Sequence, residues 1–342
     1  MNVQEFKQAE IVLTQACNLR CSFCFEKEWG YRPENTLQYE DLKRVVDFCN
    51  DAEIKYLFLT GGEPLLYPHL LDILKYIQTK EYEMKPTIAT SGIQLSVGKL
   101  AEQLVESGLT YIDISMKGYD AESWKNTTGY DGFKQQMLAI QKVSQLSIDF
   151  TCSLVVTEEN VLHVPDAVQN ALNNGGRQFS FTFEIDNNSN TGNCGYHTTH
   201  NPQKLISAFL SQANRLNSIT NDWWIEYSFP LCAYTKEQLE KLHGKLASPC
   251  QVHMQDAITF SPSMDILSCD MFMSESLGKL GKDFNTFKEF LNWRSHAPYQ
   301  DAILKLRSYP SDECPECEYL SQCMGGCPVL WKHYAISDIK HK

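Results

Sequence analysis

Short β-rich runs alternate with longer helical patterns up to about residue 185, and this alternation constrains the fold more than any other feature. Six runs predict strands, namely Glu10–Thr14, Tyr56–Thr60, Pro86–Thr90, Tyr111–Ser115, Phe150–Val156 and Phe179–Ile185. Helical patterns lie between them, at Leu42–Asp51, Pro68–Gln78, Val97–Ser107, Phe133–Leu146 and Val164–Asn173. Strict alternation implies parallel strands joined by right-handed crossovers. The predicted fold is therefore α/β, a partial (β/α)6 TIM-like barrel with functional residues at the carboxyl ends of its strands.

The pattern changes after the sixth predicted strand. Asp186–Asn201 is rich in Asn, Thr and Gly and predicts a boundary. We expect a barrel over residues 1–200, a connecting helical region over 201–249 and a cysteine-rich segment over 250–342. A hairpin is predicted in that last segment, from Ala257–Phe260 and Asp265–Ser268. Its short, irregular pattern is typical of a segment organised by metal clusters.

Charge and composition exclude several classes of protein. The net charge of -12, without a basic cluster, argues against a nucleic-acid partner. No signal peptide precedes the first strand, and no apolar stretch approaches the roughly 20 residues of a membrane helix. We therefore expect a cytoplasmic protein with no membrane partner. In a reducing compartment, 13 cysteines indicate metal ligation rather than disulfides.

The first cysteine group directly follows the first predicted strand. Cys17, Cys21 and Cys24 form a CxxxCxxC motif with no fourth cysteine nearby. Three thiolates can hold three irons of a 4Fe-4S cluster, which leaves the fourth iron open to another ligand. A structural zinc site is the alternative, but its fourth ligand would have to come from far along the chain.

A glycine motif ends the second predicted strand, in the sequence Thr60-Gly61-Gly62-Glu63-Pro64. Both motifs thus lie at the carboxyl ends of neighbouring strands, on one face of the barrel. Glycine lets the backbone approach a ligand closely, and a carboxylate or carbonyl there can accept from an ammonium group.

These two motifs together resemble the radical S-adenosylmethionine (radical SAM) superfamily. The resemblance implies that the first three cysteines hold a 4Fe-4S cluster and that S-adenosylmethionine binds beside it. By the same resemblance the cofactor-binding residues are Phe23, Gly61, Gly62, Glu63, Pro64, Ser91 and Ser115. Ser91 stands where the family often has Asn, and Ser115 has the alternative role of a strand-end serine that caps backbone groups.

A second cysteine group lies near the end of the sequence as CxxCx5CxxxC, formed by Cys314, Cys317, Cys323 and Cys327. Cys250 and Cys269 precede it and flank the predicted hairpin. A zinc ribbon is the alternative, although six cysteines exceed the four ligands of one zinc ion. The pattern is similar to the SPASM extension of radical SAM enzymes, which implies one or two auxiliary 4Fe-4S clusters. By resemblance Cys250, Cys269 and Cys327 hold the nearer cluster, and Cys314, Cys317 and Cys323 hold the farther one.

The full extension has one more cysteine after this run, and here none follows Cys327. The farther cluster would then take His333, Asp338 or His341, keep an open iron, or not exist. Cys232 is either a further ligand of the nearer cluster or a buried free cysteine. Of the other cysteines, Cys49 and Cys152 are expected in the core, and Cys194 falls in the polar loop.

The resemblance implies a radical SAM oxidoreductase, and most enzymes with this extension modify peptides. We expect a peptide maturase that abstracts a hydrogen atom from a peptide or protein side chain. The expected electron donor is external, of flavodoxin or ferredoxin type, and Asp270 is the candidate catalytic base. With the first cluster cysteine at residue 17, little room is expected for a separate leader-recognition domain. A small-molecule substrate is one alternative, and a non-catalytic iron–sulfur electron-transfer or sensor protein is another.

Overall fold

A computed structural model describes residues 6–185, 201–226, 229–247, 250–307, 311–332 and 334–340. Seven parallel strands follow one another in chain order, β1 to β7, each paired with the next. They are Gln8–Thr14, Tyr56–Gly61, Lys85–Thr90, Tyr111–Met116, Asp149–Val156, Phe179–Phe183 and Trp223–Ile225. The predicted α/β barrel architecture with six parallel strands is confirmed. The seventh strand was not predicted, since its three residues are too few to show a period.

Helices cover the strands on the outside of this sheet. The first eight, α1 to α8, are Tyr39–Asp51, Leu70–Ile77, Leu100–Glu106, Ala121–Thr128, Phe133–Val143, Val164–Asn173, Pro202–Ser211 and Ala213–Ile219. The five predicted barrel helices are present with ends shifted by up to three residues. Helix α4 was not predicted. It begins at a capping box in which Asp120 and Ser123 bond each other's backbone, and it ends at Gly129 with φ of +73°.

The core lies between these helices and the sheet. The predicted apolar face of α1 is buried, through Leu42, Val45, Val46 and Cys49. Cys152 on β5 is also fully buried, so both cysteines that were expected in the core lie there. Strand β7 carries Trp223, which packs against Phe181 and Phe209 as core.

The cysteine-rich segment continues the same sheet. Its strands are β8, Ala257–Phe260, β9, Asp265–Leu267, and β10, Gly278–Lys279. The predicted hairpin is present, since β8 and β9 pair antiparallel. Strand β8 also pairs in parallel with β1, from Gln8 beside Ala257 to Ile11 beside Phe260. The predicted boundaries at 200 and 250 stay predictions, but hydrogen bonding of the sheet crosses them and the order is β10-β9-β8-β1-β2-β3-β4-β5-β6-β7.

Six more helices follow α8 in the described residues. They are α9 to α14, at Lys236–Lys241, Gln251–Met254, Phe287–Trp293, Ala297–Leu306, Leu320–Cys323 and Ile336–Ile339. None of the helices within the described ranges has the length and apolar character that a membrane crossing requires. The expected loop around Cys194 lies outside the described residues.

Candidate functional site

The first three cysteines share one buried patch in the loop after β1. Cys21 is buried, and Cys17 and Cys24 are partly buried. Burial raises the pKa of the Cys17 thiol to about 11, and Glu63, Cys21 and Cys24 raise it further. Burial also raises the pKa of Cys24, and Cys21 adds to that shift. The charges of these thiols therefore affect one another's pKa values, which fits a group that all three bind together.

Helix α4 holds this loop in place. The backbone N–H of Arg20 donates to the carbonyl of Thr128 at 3.1 Å, and that of Ser22 donates to Thr127 at 2.8 Å. The Trp124 ring packs against the loop in one small apolar cluster with Leu19 and Cys21. The unpredicted helix is thus a support for the cysteine motif.

The glycine turn after β2 lies directly against the cysteine loop. A Cβ atom on Gly62 would come within 2.5 Å of the Ala16 carbonyl oxygen and 3.0 Å of the Cys17 Cβ. A Cβ atom on Gly61, whose φ is +138°, would come within 2.3 Å of the Thr14 oxygen. Only glycine fits at either position, so the sequence Gly-Gly brings the two motifs into backbone contact.

The carboxylate of Glu63 joins the ends of β2 and β3. It is 2% exposed. It accepts hydrogen bonds from the Thr90 hydroxyl at 2.6 Å and from the Leu65 N–H at 3.2 Å. The Ser91 N–H and hydroxyl also donate to it, at 3.0 and 2.7 Å. Four donors occupy this carboxylate, so the Ser91 hydroxyl points at Glu63 and the turn is held rigid.

Gln136 extends this network to β4 and α4, and sequence reasoning missed it. Its side chain is fully buried. It donates to the carbonyls of Ser91 at 2.8 Å and Ser115 at 3.0 Å, and it accepts from Trp124 Nε1 at 3.1 Å. The one available signal was a polar residue on the apolar face of α5.

A lysine lies beside the cysteine loop at the end of β4. Lys117 Nζ donates to the Ser115 hydroxyl at 2.7 Å and lies 5.4 Å from the centre of the Phe23 ring. Its charge lowers the pKa of Cys24 against the larger effect of burial. Ser115 therefore makes a strand-end contact in this structure, and Lys117 supplies positive charge next to the thiols.

The fold also gathers Cys250, Cys269 and Cys327. Burial raises the pKa of Cys327 to about 12, and Cys250 is the next contributor. Burial raises the pKa of Cys269 well above its usual range, with further contributions from Asp270, Glu10 and Cys327. The three thiols that the sequence assigned to the nearer cluster are neighbours.

Two further carboxylates approach Asp270, and neither was predicted. Asp270 Oδ1 accepts from the Cys269 thiol at 3.2 Å. Burial, followed by the charge of Asp270, raises the pKa of Glu10 well above its usual range and that of Glu26 to about 7. Burial also raises the pKa of Asp270 itself. Two buried carboxylates that interact favour holding a proton between them.

The remaining cysteines line a second region. A cavity of about 700 Å³ is lined by Cys314, Cys317 and Cys323, and Cys232 belongs to the same wall. Cys232 is thus placed with the farther group instead of the nearer one. Asp338 caps its own helix by accepting from the Ala335 N–H at 2.8 Å. His333 and His341 lie outside the described residues.

A compact zinc site is not formed by these groups. Zn–S bonds of about 2.3 Å would draw four sulfurs tightly around one point. Within the described ranges, no three His, Cys, Asp or Glu side chains converge in a way that could hold one metal ion.

Comparison with known families identifies the first motif. The model of the Radical SAM superfamily matches residues 11–171, which include the CxxxCxxC loop and the glycine turn. The chain carries a radical SAM domain. The cofactors of this family are a 4Fe-4S cluster and S-adenosylmethionine, and three clustered thiols beside a glycine-lined turn fit both.

Curated relatives match part of this chain. Over 146 residues it is 33% identical to a probable GTP 3',8-cyclase of Pyrococcus abyssi, covering 43% of this chain and 46% of that protein. Over 160 residues it is 31% identical to GTP 3',8-cyclase of Aliarcobacter butzleri, covering 45% of this chain and 49% of that protein. The chain therefore spans about half the length of the curated relatives it matches.

Solved structures share the fold over nearly the whole chain. SuiB of Streptococcus suis, bound to precursor peptide SuiA, aligns with a TM-score of 0.73 and 18% identity, covering 99% of this chain and 76% of that one. The protein anSMEcpe with bound AdoMet aligns with a TM-score of 0.68 and 18% identity, covering 94% and 88%. At these identities the likeness shows the fold of this chain, including its cysteine-rich segment.

Proposed function

We propose that this radical SAM enzyme modifies a peptide or protein side chain and carries SPASM-type auxiliary 4Fe-4S clusters. The observation that carries the proposal is the clustering of the C-terminal cysteines in a segment that extends the barrel sheet. The match in fold to SuiB with its bound precursor peptide, over 99% of this chain, supports a peptide substrate.

Cys17, Cys21 and Cys24 would hold the first cluster. Cofactor contacts are proposed for Phe23, Ser91 and Ser115 and for the turn of Gly61, Gly62, Glu63 and Pro64. Four donors already occupy the Glu63 carboxylate. We therefore propose that backbone carbonyls of that turn accept the hydrogen bonds of the methionyl ammonium group. When bound, the cluster and S-adenosylmethionine would supply a 5′-deoxyadenosyl radical able to abstract a hydrogen atom.

Asp270 is proposed as the base that takes a proton from the substrate once a hydrogen atom has left it. A base works best with a pKa near the working pH, and burial raises the pKa of this carboxyl. Glu10 and Glu26 face it, so a proton accepted by Asp270 can be shared with a second carboxylate. The remaining electron would leave toward the neighbouring Cys250, Cys269 and Cys327 site.

A small-molecule substrate is the second candidate, favoured by the identity to GTP 3',8-cyclases over 43% of this chain. The fold match to a peptide-bound enzyme covers more of the chain and weighs against it. A non-catalytic electron carrier is less well supported, since it needs no glycine turn against the cluster loop. The first electron is expected from a flavodoxin- or ferredoxin-type donor.

The test uses anaerobically reconstituted enzyme with dithionite as the reductant. The substrates are deuterated GTP or deuterated peptides encoded beside its gene, and 5′-deoxyadenosine is detected by mass. We expect deuterium transfer from a peptide and none from GTP. The triple variant C17A/C21A/C24A should form no 5′-deoxyadenosine. Asp270→Asn should still form it but release less modified peptide. Deuterium transfer from labelled GTP alone would favour the small-molecule candidate.

A further inference from the structure

Cys232 lies in a short turn, Leu231–Ala233, before α9. That turn is bonded to the C-terminal cysteine run, because the Leu231 N–H donates to Cys323 Sγ at 3.3 Å. Next to it, a Cβ atom on Gly326 would come within 2.8 Å of the Pro230 nitrogen. Two backbone segments about ninety residues apart are therefore in direct contact around Cys323.

The shared cavity has the size and lining of a cluster site. Its volume of about 700 Å³ far exceeds the space of one metal ion, and Cys232, Cys314, Cys317 and Cys323 all line it. Cys323 is buried, Cys232 and Cys314 are partly buried, and Cys317 is exposed. The thiols that line the cavity thus range from buried to exposed.

The charges around the cavity agree with this grouping. Burial raises the pKa of Cys232 to about 11, and the next contributors are Cys323, Cys314 and then Cys317. The largest contributions from thiols to that shift thus all come from the farther group. Lys340 pairs with Glu313 on the cavity wall, and Cys232 and Cys317 also raise its pKa. A lysine at this position would stabilise an anionic cluster.

We propose that Cys232 is the fourth protein ligand of the farther auxiliary 4Fe-4S cluster, with Cys314, Cys317 and Cys323. This inference rests on the proposed auxiliary clusters and goes beyond them, since it assigns the missing ligand to a residue upstream of the cysteine run. Four cysteines are the usual set for such a cluster. Within the described residues, Asp338 is occupied as a helix cap and does not line the cavity.

The test measures iron and sulfide in the C17A/C21A/C24A background, where all remaining cluster iron is auxiliary. We expect roughly eight irons per chain in that background. Adding Cys232→Ala should remove about four irons, or one iron with the electron paramagnetic resonance signal of a three-iron cluster. Cys323→Ala should act in the same way, and Cys49→Ala, a cysteine fully buried in α1, should leave the iron content unchanged.

Cys232→Ser keeps the size of the side chain and covers the case in which Cys232→Ala misfolds. Serine at this position should retain the cluster with a changed spectrum of the reduced state. An unchanged iron content and spectrum in both Cys232 variants, with loss in Cys323→Ala, would overturn the assignment. Zinc or no metal in the background would overturn it as well. Wild-type formation of 5′-deoxyadenosine, measured in parallel, reports separately on the radical SAM function.

Discussion

At the scale of single residues, the contact between the two motifs depends on an absent side chain. Gly62 has a backbone that other residues could adopt, so its constraint is space alone: Ala16 and Cys17 lie where a Cβ would be. The Gly62 N–H also donates to the Thr14 carbonyl at 2.8 Å. The position of the cysteine loop is therefore tied to one glycine.

We expect Gly62→Ala to displace the cysteine loop and to reduce iron bound at the first cluster by more than half. Overpacking of this kind costs about 1–3 kcal/mol. Iron quantitation in a background lacking the auxiliary cysteines measures the loss. The matched control is Gly98→Ala, an exposed glycine with φ of +60° and no atom within 4 Å of the added Cβ. If both variants bind iron equally, close backbone contact is not required.

The ionisation of Asp113 on β4 makes the free energy of unfolding depend on pH. Its Oδ2 accepts from the Ser153 hydroxyl at 2.9 Å, and its Oδ1 is buried with no hydrogen-bond partner. Burial raises its pKa from 3.8 to about 6. The folded chain then binds this proton more tightly than the unfolded chain does.

Since the pKa is raised, the contribution of Asp113 to stability is fully present below about pH 4 and is lost as pH rises through about 6. The change is at most about 3 kcal/mol. Urea unfolding of wild type and Asp113→Asn from pH 4 to 8 should show that the variant gains relative stability as pH rises. A constant difference between the two would contradict the raised pKa.

At the scale of elements, α4 and α5 work as one support for the strand ends. Helix α4 holds the cysteine loop through backbone bonds, and Gln136 on α5 bonds β3, β4 and Trp124 of α4. One buried amide therefore connects both helices to the two strand ends that carry Ser91 and Ser115.

We expect Gln136→Met to lower the free energy of unfolding by about 2–4 kcal/mol, because each buried group left without a partner costs about 1–3 kcal/mol. S-adenosylmethionine should also bind more weakly, as measured by equilibrium dialysis. Gln141→Met on the exposed side of the same helix is the control and should change the unfolding free energy by less than about 0.5 kcal/mol. Equal effects of both changes would disprove the bridging role.

At the scale of the whole molecule, the barrel and the cysteine-rich segment share one sheet and one core. Strand β8 pairs with β1, and Phe48 of α1 packs against Phe260 and Phe290 at centroid distances of 5.6 and 5.8 Å. Phe290 is fully buried. Neither part can lose its fold without exposing apolar surface of the other.

We expect Phe290→Ala to destabilise the whole chain by about 3–5 kcal/mol, with one unfolding transition. Circular dichroism, tryptophan fluorescence and loss of cluster absorbance should give the same urea midpoint. Leu304→Ala on α12 is the control, since Leu304 is 64% exposed. Separate midpoints, with only cluster absorbance shifted in Phe290→Ala, would show two independent units.

The sequence by itself determined the features that depend on neighbouring residues. Short β-rich runs and helical spacing placed the first six strands and five helices, and three cysteines within eight residues predicted an iron–sulfur loop. Only the tertiary structure decided which distant residues meet. It set Glu10 and Glu26 against Asp270, placed Gln136 under the strand ends, and put Cys232 beside Cys323. Local patterns show which face of an element is buried. Packing across the sheet determines which residues contact that face, and the spacing of residues along the chain does not specify them.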